Sequence, residues 1–283
     1  LFEYDEMIVR PTEWPQLYEE HFGLTQRPFR DTTSPEAFVP LSGQEAAIRR
    51  LRYGLEHGHG PALLFGPSGI GKTLLARTLA RTLNRPAFHL TFSMMSAADY
   101  MAYLADELSA PGTDRSLAGS VRRIRNALSD SARRQDRPVL VIDESHLIDD
   151  PGVFESLRLL LNFTTEETPD ISLLFVGSAE VLLKLPPALT DRLTAKVLLC
   201  PLTREESAEY VLGRLKLAGS HGQLFDQECM DELHYSSDGI PRRMNRLVDL
   251  ALLVSYAEGL ERPNLRAIEI AVKEAAFEPI GVS

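Results

Sequence analysis

Eight consecutive residues, Gly66, Pro67, Ser68, Gly69, Ile70, Gly71, Lys72 and Thr73, fit the spacing G-x-x-x-x-G-K-[ST]. This chemistry suits a polyphosphate. Successive backbone N–H groups converge on the anion, and glycine lets the backbone curl and approach with no side chain in the way. Lys72 is expected to reach the β- and γ-phosphates, and the Thr73 hydroxyl to ligate Mg²⁺. Leu74 completes the expected nucleotide-contacting run. A second pair of groups, Asp143 and Glu144, ends the apolar run Val139-Leu-Val-Ile. Asp143 is expected in the Mg²⁺ shell and Glu144 at the attacking water, so turnover, as distinct from ATP binding, rests on Glu144.

These groups need elements to hold them. Ala62–Phe65 reads as a short strand before the glycine loop, and Lys72–Leu83 as the helix after it. Ala87–Phe92, Val139–Ile142, Ile171–Val176 and Val197–Leu199 read as further strands, and Asp99–Leu108, Leu117–Arg134 and Val153–Leu161 as helices. Strands alternating with helices predict an α/β fold, an αβα P-loop sandwich on a parallel sheet, with ligands at the carboxyl ends of the strands. A helix is also expected from Ser42 to the glycines at 58 and 60.

Beyond Pro201 the strand pattern stops. Thr203-Arg-Glu-Glu206 fits a capping box opening a helix to about Ala218. Helices follow at Gln227–Ser236, Pro241–Glu258 and Leu265–Ala276, the last capped by Asn264. The expected domains are therefore a P-loop core over 41–200 and a small all-helical lid over 201–283. The first forty residues carry prolines at 11, 15, 28, 35 and 40 and scattered aromatics, including Trp14. That segment, 1–40, is expected to pack on the core rather than build its own.

Composition removes whole classes of function. The chain has 283 residues, 44% hydrophobic and 25% charged, with 30 Lys and Arg against 40 Asp and Glu. The net charge of −10 argues against a generally basic nucleic-acid binder but permits a local basic patch. Arg115–Arg137 is one such stretch, with seven arginines against two aspartates. It fits either a stripe for double-stranded DNA phosphates or a solvated helix face. No apolar run is long enough for a transmembrane helix, and Leu1–Pro15 lacks the basic and apolar regions of a secretory signal. Two cysteines are too few for a disulfide framework. The expectation is a cytoplasmic protein with reduced thiols.

Taken together, the glycine loop, the Asp143-Glu144 strand, the lead-in Phe22-Gly-Leu…Pro28-Phe29 and the segment Gly239-Ile-Pro-Arg242 resemble the AAA+ ATPases. The resemblance is closest to the ExeA/GspA-type general secretion ATPases and the related TniB/TnsC-type transposition ATPases, and runs roughly from Tyr18 to Ala276. That family ends its acidic strand in Asp-Glu-Ala-Gln, whereas this chain reads Asp-Glu-Ser-His146. His146 is read as a polar contact near the site or a solvated side chain.

The resemblance implies three further roles. Ser178 matches the sensor-1 position, and it also fits a turn residue after a strand. Arg192 matches the arginine finger that reaches a neighbouring subunit's nucleotide in a homo-oligomer, and it also fits an ordinary salt bridge. Arg242 matches sensor 2, with Arg243 as its surface neighbour. The lead-in is implied near the adenine, or serves as plain cover. ATP hydrolysis would power secretion or envelope assembly with a membrane-anchored partner. The alternatives are an ATP-dependent DNA-binding regulator of transposition and a nucleotide-switched scaffold.

Overall fold

A computed structural model describes residues 18–58, 60–91 and 94–276. Trp14, with the prolines at 11 and 15, lies outside the described residues, as does Phe92 at the end of one expected strand. The described contacts divide the chain into two units, 32–201 and 202–276 joined by 18–31.

The first unit is built on five short strands: β1 (Ala62–Phe65), β2 (Ala87–Leu90), β3 (Val139–Ile142), β4 (Ser172–Gly177) and β5 (Ala195–Leu198). They form one parallel sheet in the order β2-β3-β4-β1-β5. β1 and β3 are buried at every position, as strands covered on both faces must be. Side chains alternate across the sheet. Leu63, Phe65, Leu140, Ile142, Leu173 and Phe175 share one core with α3 (Ala97–Glu107), α4 (Leu117–Arg133) and α5 (Pro151–Leu160). The other face packs against α1 (Ser42–His57) and α2 (Lys72–Thr82). This is the expected αβα sandwich.

Two short helical turns, α6 (Val181–Lys184) and α7 (Pro187–Thr190), lie between β4 and β5 and were not expected from the pattern. Pro186 and Pro187 explain why they are separate, since a proline ring and its missing N–H interrupt a helix.

The second unit holds α8 (Arg204–Leu217), α9 (Gln227–Ser237), α10 (Pro241–Ala257) and α11 (Leu265–Ala276). The capping box forms in both directions, Thr203 Oγ1 accepting from Glu206 N and Glu206 Oε2 from Thr203 N, each at 3.2 Å. Asn264 Oδ1 caps α11 by accepting from Ala267 N at 3.0 Å.

Contrary to the expectation of a single lead-in over 1–40 on the α/β core, residues 18–31 belong with these helices. The physical reason is Arg214 on α8, only 5% exposed. Its guanidinium donates to Pro28 O at 2.9 Å and Arg30 O at 3.0 Å, so a buried charge and the lead-in's carbonyls satisfy each other. Tyr18 and Arg27 both bond Asp249 of α10.

Candidate nucleotide-binding site

The glycine loop leaves the carboxyl end of β1 and turns into α2. At Gly66 a Cβ would lie 2.5 Å from Leu199 O, so any side chain there would displace the backbone after β5. Gly71 caps α2 at φ +97°, a left-handed conformation that glycine adopts at little cost, and its Cβ position faces open space. Ile70 anchors the loop at 2% exposure while Pro67 and Ser68 stand exposed. The helix N-terminus thus presents unpaired N–H groups to a concave backbone. Lys72 is buried, and its ammonium donates to Gly66 O at 3.0 Å and Pro67 O at 2.9 Å.

Parallel pairing of β3 beside β4 and of β4 beside β1 brings the acidic pair to this loop. Thr73 Oγ1 donates to Asp143 Oδ2 at 2.7 Å across seventy residues of sequence. Asp143 is 3% exposed, and also takes His89 Nε2 at 3.1 Å and the Glu144 N–H at 2.9 Å. Burial pushes its carboxyl upward, but the hydrogen bonds from His89, Thr73 and Glu144 N–H outweigh burial and hold it below the ordinary carboxylate value. His89, on β2, was not a sequence candidate. Its signal was a polar side chain in an otherwise apolar strand, in register with Val141 two residues before Asp143.

Glu144 departs from the strand at φ +49°, ψ 36°, a conformation costly for a residue with a Cβ. Ser145 holds the turn in place, its hydroxyl within hydrogen-bonding distance of Val176 O (2.7 Å) and Ile142 O (3.1 Å). The Glu144 side chain is left about half exposed, at 47%, rather than within the core. His146 Nδ1 lies 3.4 Å from Glu144 Oε2 and accepts from Ser178 N at 3.3 Å. His146 is therefore a mostly buried polar contact at the end of β4, its ring packed beside the Glu144 carboxylate, not a solvated side chain. The Ser178 hydroxyl is buried with no hydrogen-bond partner among the described residues.

The donor chemistry fits Mg²⁺ and a nucleotide. A threonine hydroxyl and one carboxylate are hard oxygen donors of the kind Mg²⁺ takes while keeping water and phosphate ligands. The open cradle at Gly71, the buried Lys72 ammonium and the orphaned Ser178 hydroxyl suit the phosphates. Among the described residues no cluster of three or more His, Cys, Asp or Glu forms a protein-only metal cage.

Within the α/β unit, Arg192 stands apart from the glycine loop. The Arg192 carbonyl lies 1.8 Å from where a Gly60 Cβ would be, at the amino end of β1. The loop holding Lys72 leaves the opposite end, separated by a four-residue strand of about 13 Å. The Arg192 guanidinium donates to Asn162 Oδ1 at 3.2 Å. Arg242 lies in the first turn of α10, exposed, with Nε 3.9 Å from Asp31 Oδ2. Arg243 pairs with Asp238.

The arginine-rich stretch is largely occupied within the α/β unit. Arg115 and Arg123 both pair with Asp106, Arg125 lies over the Phe163 ring, Arg133 pairs with Asp130 and Arg137 with Glu166. No described helix is long and apolar enough to cross a membrane.

A parallel sheet in this order, a glycine loop opening α2 and an acid pair after β3 make up a fold of the AAA+ P-loop class. Residues 55–185 match the family model described as an AAA domain. Within the class, the chain is 31% identical over 274 residues to General secretion pathway protein A of Aeromonas hydrophila. The match takes in 94% of this chain and 49% of that protein, so the chain spans about half the length of the curated relative it matches. The fold is similar to that of Cdc6p from Pyrobaculum aerophilum, with a TM-score of 0.69 at 19% identity over 89% of this chain and 71% of that one. It is also similar to the Aeropyrum pernix ORC2 protein in its ADPNP–ADP complexes, with a TM-score of 0.67 at 17% identity over 90% and 73% of the two chains.

Proposed function

We propose that the chain binds ATP with Mg²⁺ and hydrolyses it to ADP and phosphate. The observation that carries this reading is the 2.7 Å bond from Thr73 to Asp143, which joins the phosphate loop to the acidic strand end. In the proposal the backbone N–H groups of 66–73 hold the phosphates, and Lys72 moves from its loop carbonyls to the phosphate oxygens. Bound Mg²⁺, held by Thr73 and Asp143, would supply charge neutralisation on those oxygens. Glu144 accepts a proton from the attacking water, and the His146 ring packed beside its carboxylate limits the orientations it can take. The Ser178 hydroxyl donates toward the γ-phosphate or that water.

Arg192 cannot reach the glycine loop of its own subunit across the length of β1, which supports a role toward a neighbouring copy in a homo-oligomer. Arg242 would sense the γ-phosphate from the helical unit. The likeness to General secretion pathway protein A supports energy supply to secretion or envelope assembly, with a membrane-anchored partner and the ATPase in the cytoplasm. The pairing of most arginines in 115–137 weighs against a duplex-DNA stripe there.

Titration with ATP, with and without Mg²⁺, tests the binding site. Asp143→Ala should remove most of the Mg²⁺ dependence of affinity. An unchanged Mg²⁺ dependence would overturn the assignment.

A further inference from the structure

The amino edge of the sheet, opposite the nucleotide site, carries a second constellation of donors. Two neighbouring strands are each preceded by the same dipeptide, Arg85-Pro86 before β2 and Arg137-Pro138 before β3. Ala87 and Val139 are in register, and Val139 N donates to Pro86 O at 2.8 Å. Arg85 and Arg137 therefore hold equivalent positions on adjacent strands, whose axes lie about 4.8 Å apart. A proline also biases the residue before it to extended backbone, which carries both arginines onward in the strand direction.

Neither guanidinium is fully satisfied. Arg85 makes only long contacts, from Nη2 to Leu55 O at 3.4 Å and to Ser172 Oγ at 3.3 Å, and pairs with no carboxylate among the described residues. Burial and, to a smaller extent, the charge of Arg137 hold its pKa below the ordinary arginine value, with Glu56 acting the other way. Arg137 reaches Glu166 through Nη2 at 2.7 Å. Yet Nε of Arg85, Nε of Arg137 and Oγ1 of Thr168 are all buried without a hydrogen-bond partner. These are three of the six such side-chain atoms among the described residues, and the three residues that carry them line one hollow.

That hollow has a volume of about 80 Å³ and is lined also by Ser172 and Glu56. A second hollow of about 270 Å³, with Gln135 and Glu166 on its wall, shares Arg85 and Arg137. A single water needs only about 15 Å³ of such space, so a polyatomic group fits. The guanidinium groups donate and never accept, so the missing partner is an acceptor; of the two carboxylates on these walls, Glu56 pairs with Arg52 and Glu166 with Arg137, which leaves the Arg85 charge to favour an anion over water.

We propose that this hollow is a binding site for a phosphate-class oxyanion, separate from the glycine loop. Arg85 and Arg137 supply the fork donors, with the Thr168 and Ser172 hydroxyls completing the shell.

Calorimetric titration of the full chain with inorganic phosphate, at ionic strength held constant with chloride, tests this. The Lys72→Ala background removes the glycine-loop ammonium, so the outcome does not depend on the ATP reading. One phosphate site should persist in that background. Arg85→Gln should weaken it at least tenfold and Thr168→Val about threefold. Arg85→Gln alone should keep wild-type ATP affinity within about twofold, which also reports that it folds. If Arg85→Gln does not fold, Thr168→Val decides. No phosphate binding in Lys72→Ala, or binding that neither variant weakens, would overturn the proposal.

Discussion

His146 offers the sharpest way to separate positioning from packing in this site. Its Nδ1 accepts from Ser178 N at 3.3 Å and lies 3.4 Å from Glu144 Oε2, and its ring lies against Gly177, where a Cβ would come within 3.2 Å of it. His146→Ala deletes all three contacts. The lost acceptor leaves one backbone N–H unpaired through a long bond, so the cost in stability is about 1 kcal/mol, the low end for such groups. For a chain of this size that lowers Tm by about 2–4 °C. Freed from the imidazole, the Glu144 carboxylate samples more orientations. A tenfold fall in turnover, about 1.4 kcal/mol of barrier, is the expected scale. ATP affinity should stay within about twofold, because these contacts involve no residue of the glycine loop. Steady-state phosphate release, nucleotide titration and thermal unfolding read the three quantities. His146→Gln, which keeps an acceptor, should recover part of both losses. A Tm fall with turnover unchanged would make His146 a packing residue and refute the reasoning. So would a loss of ATP affinity in parallel with turnover.

Gly60→Ala sets a Cβ 1.8 Å from Arg192 O, and backbone must move to accommodate it. Overpacking of this kind costs about 1–3 kcal/mol, so Tm should drop by several degrees, and an unchanged Tm would contradict the close approach. Arg192→Ala should bind ATP normally yet lose turnover, and mixing it with Glu144→Gln should restore activity by pairing an intact finger with an intact glutamate. No recovery at any mixing ratio would count against action between subunits. Asp143 lies below its ordinary value in the folded protein, so its stabilisation is complete above the unfolded value of about 3.9 and fades as pH falls through the lower folded one. Urea midpoints between pH 5 and pH 3 should therefore fall less steeply in Asp143→Asn than in the parent. Equal slopes would mean that the hydrogen bonds to Asp143 do not favour its charged form.

Much of the site was legible because its chemistry is local. The glycine loop must be contiguous to curl round a phosphate, and β1 and β3 announce themselves as apolar runs buried on both faces. The capping box at Thr203 and the Asn264 cap are likewise matters of three-residue spacing. What escaped the sequence depends on neighbours distant along the chain. His89 bonds Asp143 only because β2 pairs with β3, and His146 meets Ser178 only because β3 lies beside β4. The lead-in follows α8 because Arg214 needs carbonyl partners more than 180 residues away. The arginines of 115–137 read as one stripe of charge, yet Asp106, Phe163 and Glu166 occupy several of them.

The central claim is that Glu144 turns an ATP-binding site into a hydrolytic one, and a single substitution tests it. Glu144→Gln keeps the shape of the side chain, the Glu144 N–H to Asp143 bond and the whole glycine loop, and removes only the carboxylate that accepts the proton. ATP–Mg²⁺ should bind within about threefold of the parent affinity, while phosphate release falls at least a hundredfold, at the low end of what positioned general bases contribute. Turnover retained at parent rates, with ATP bound normally, would contradict the account.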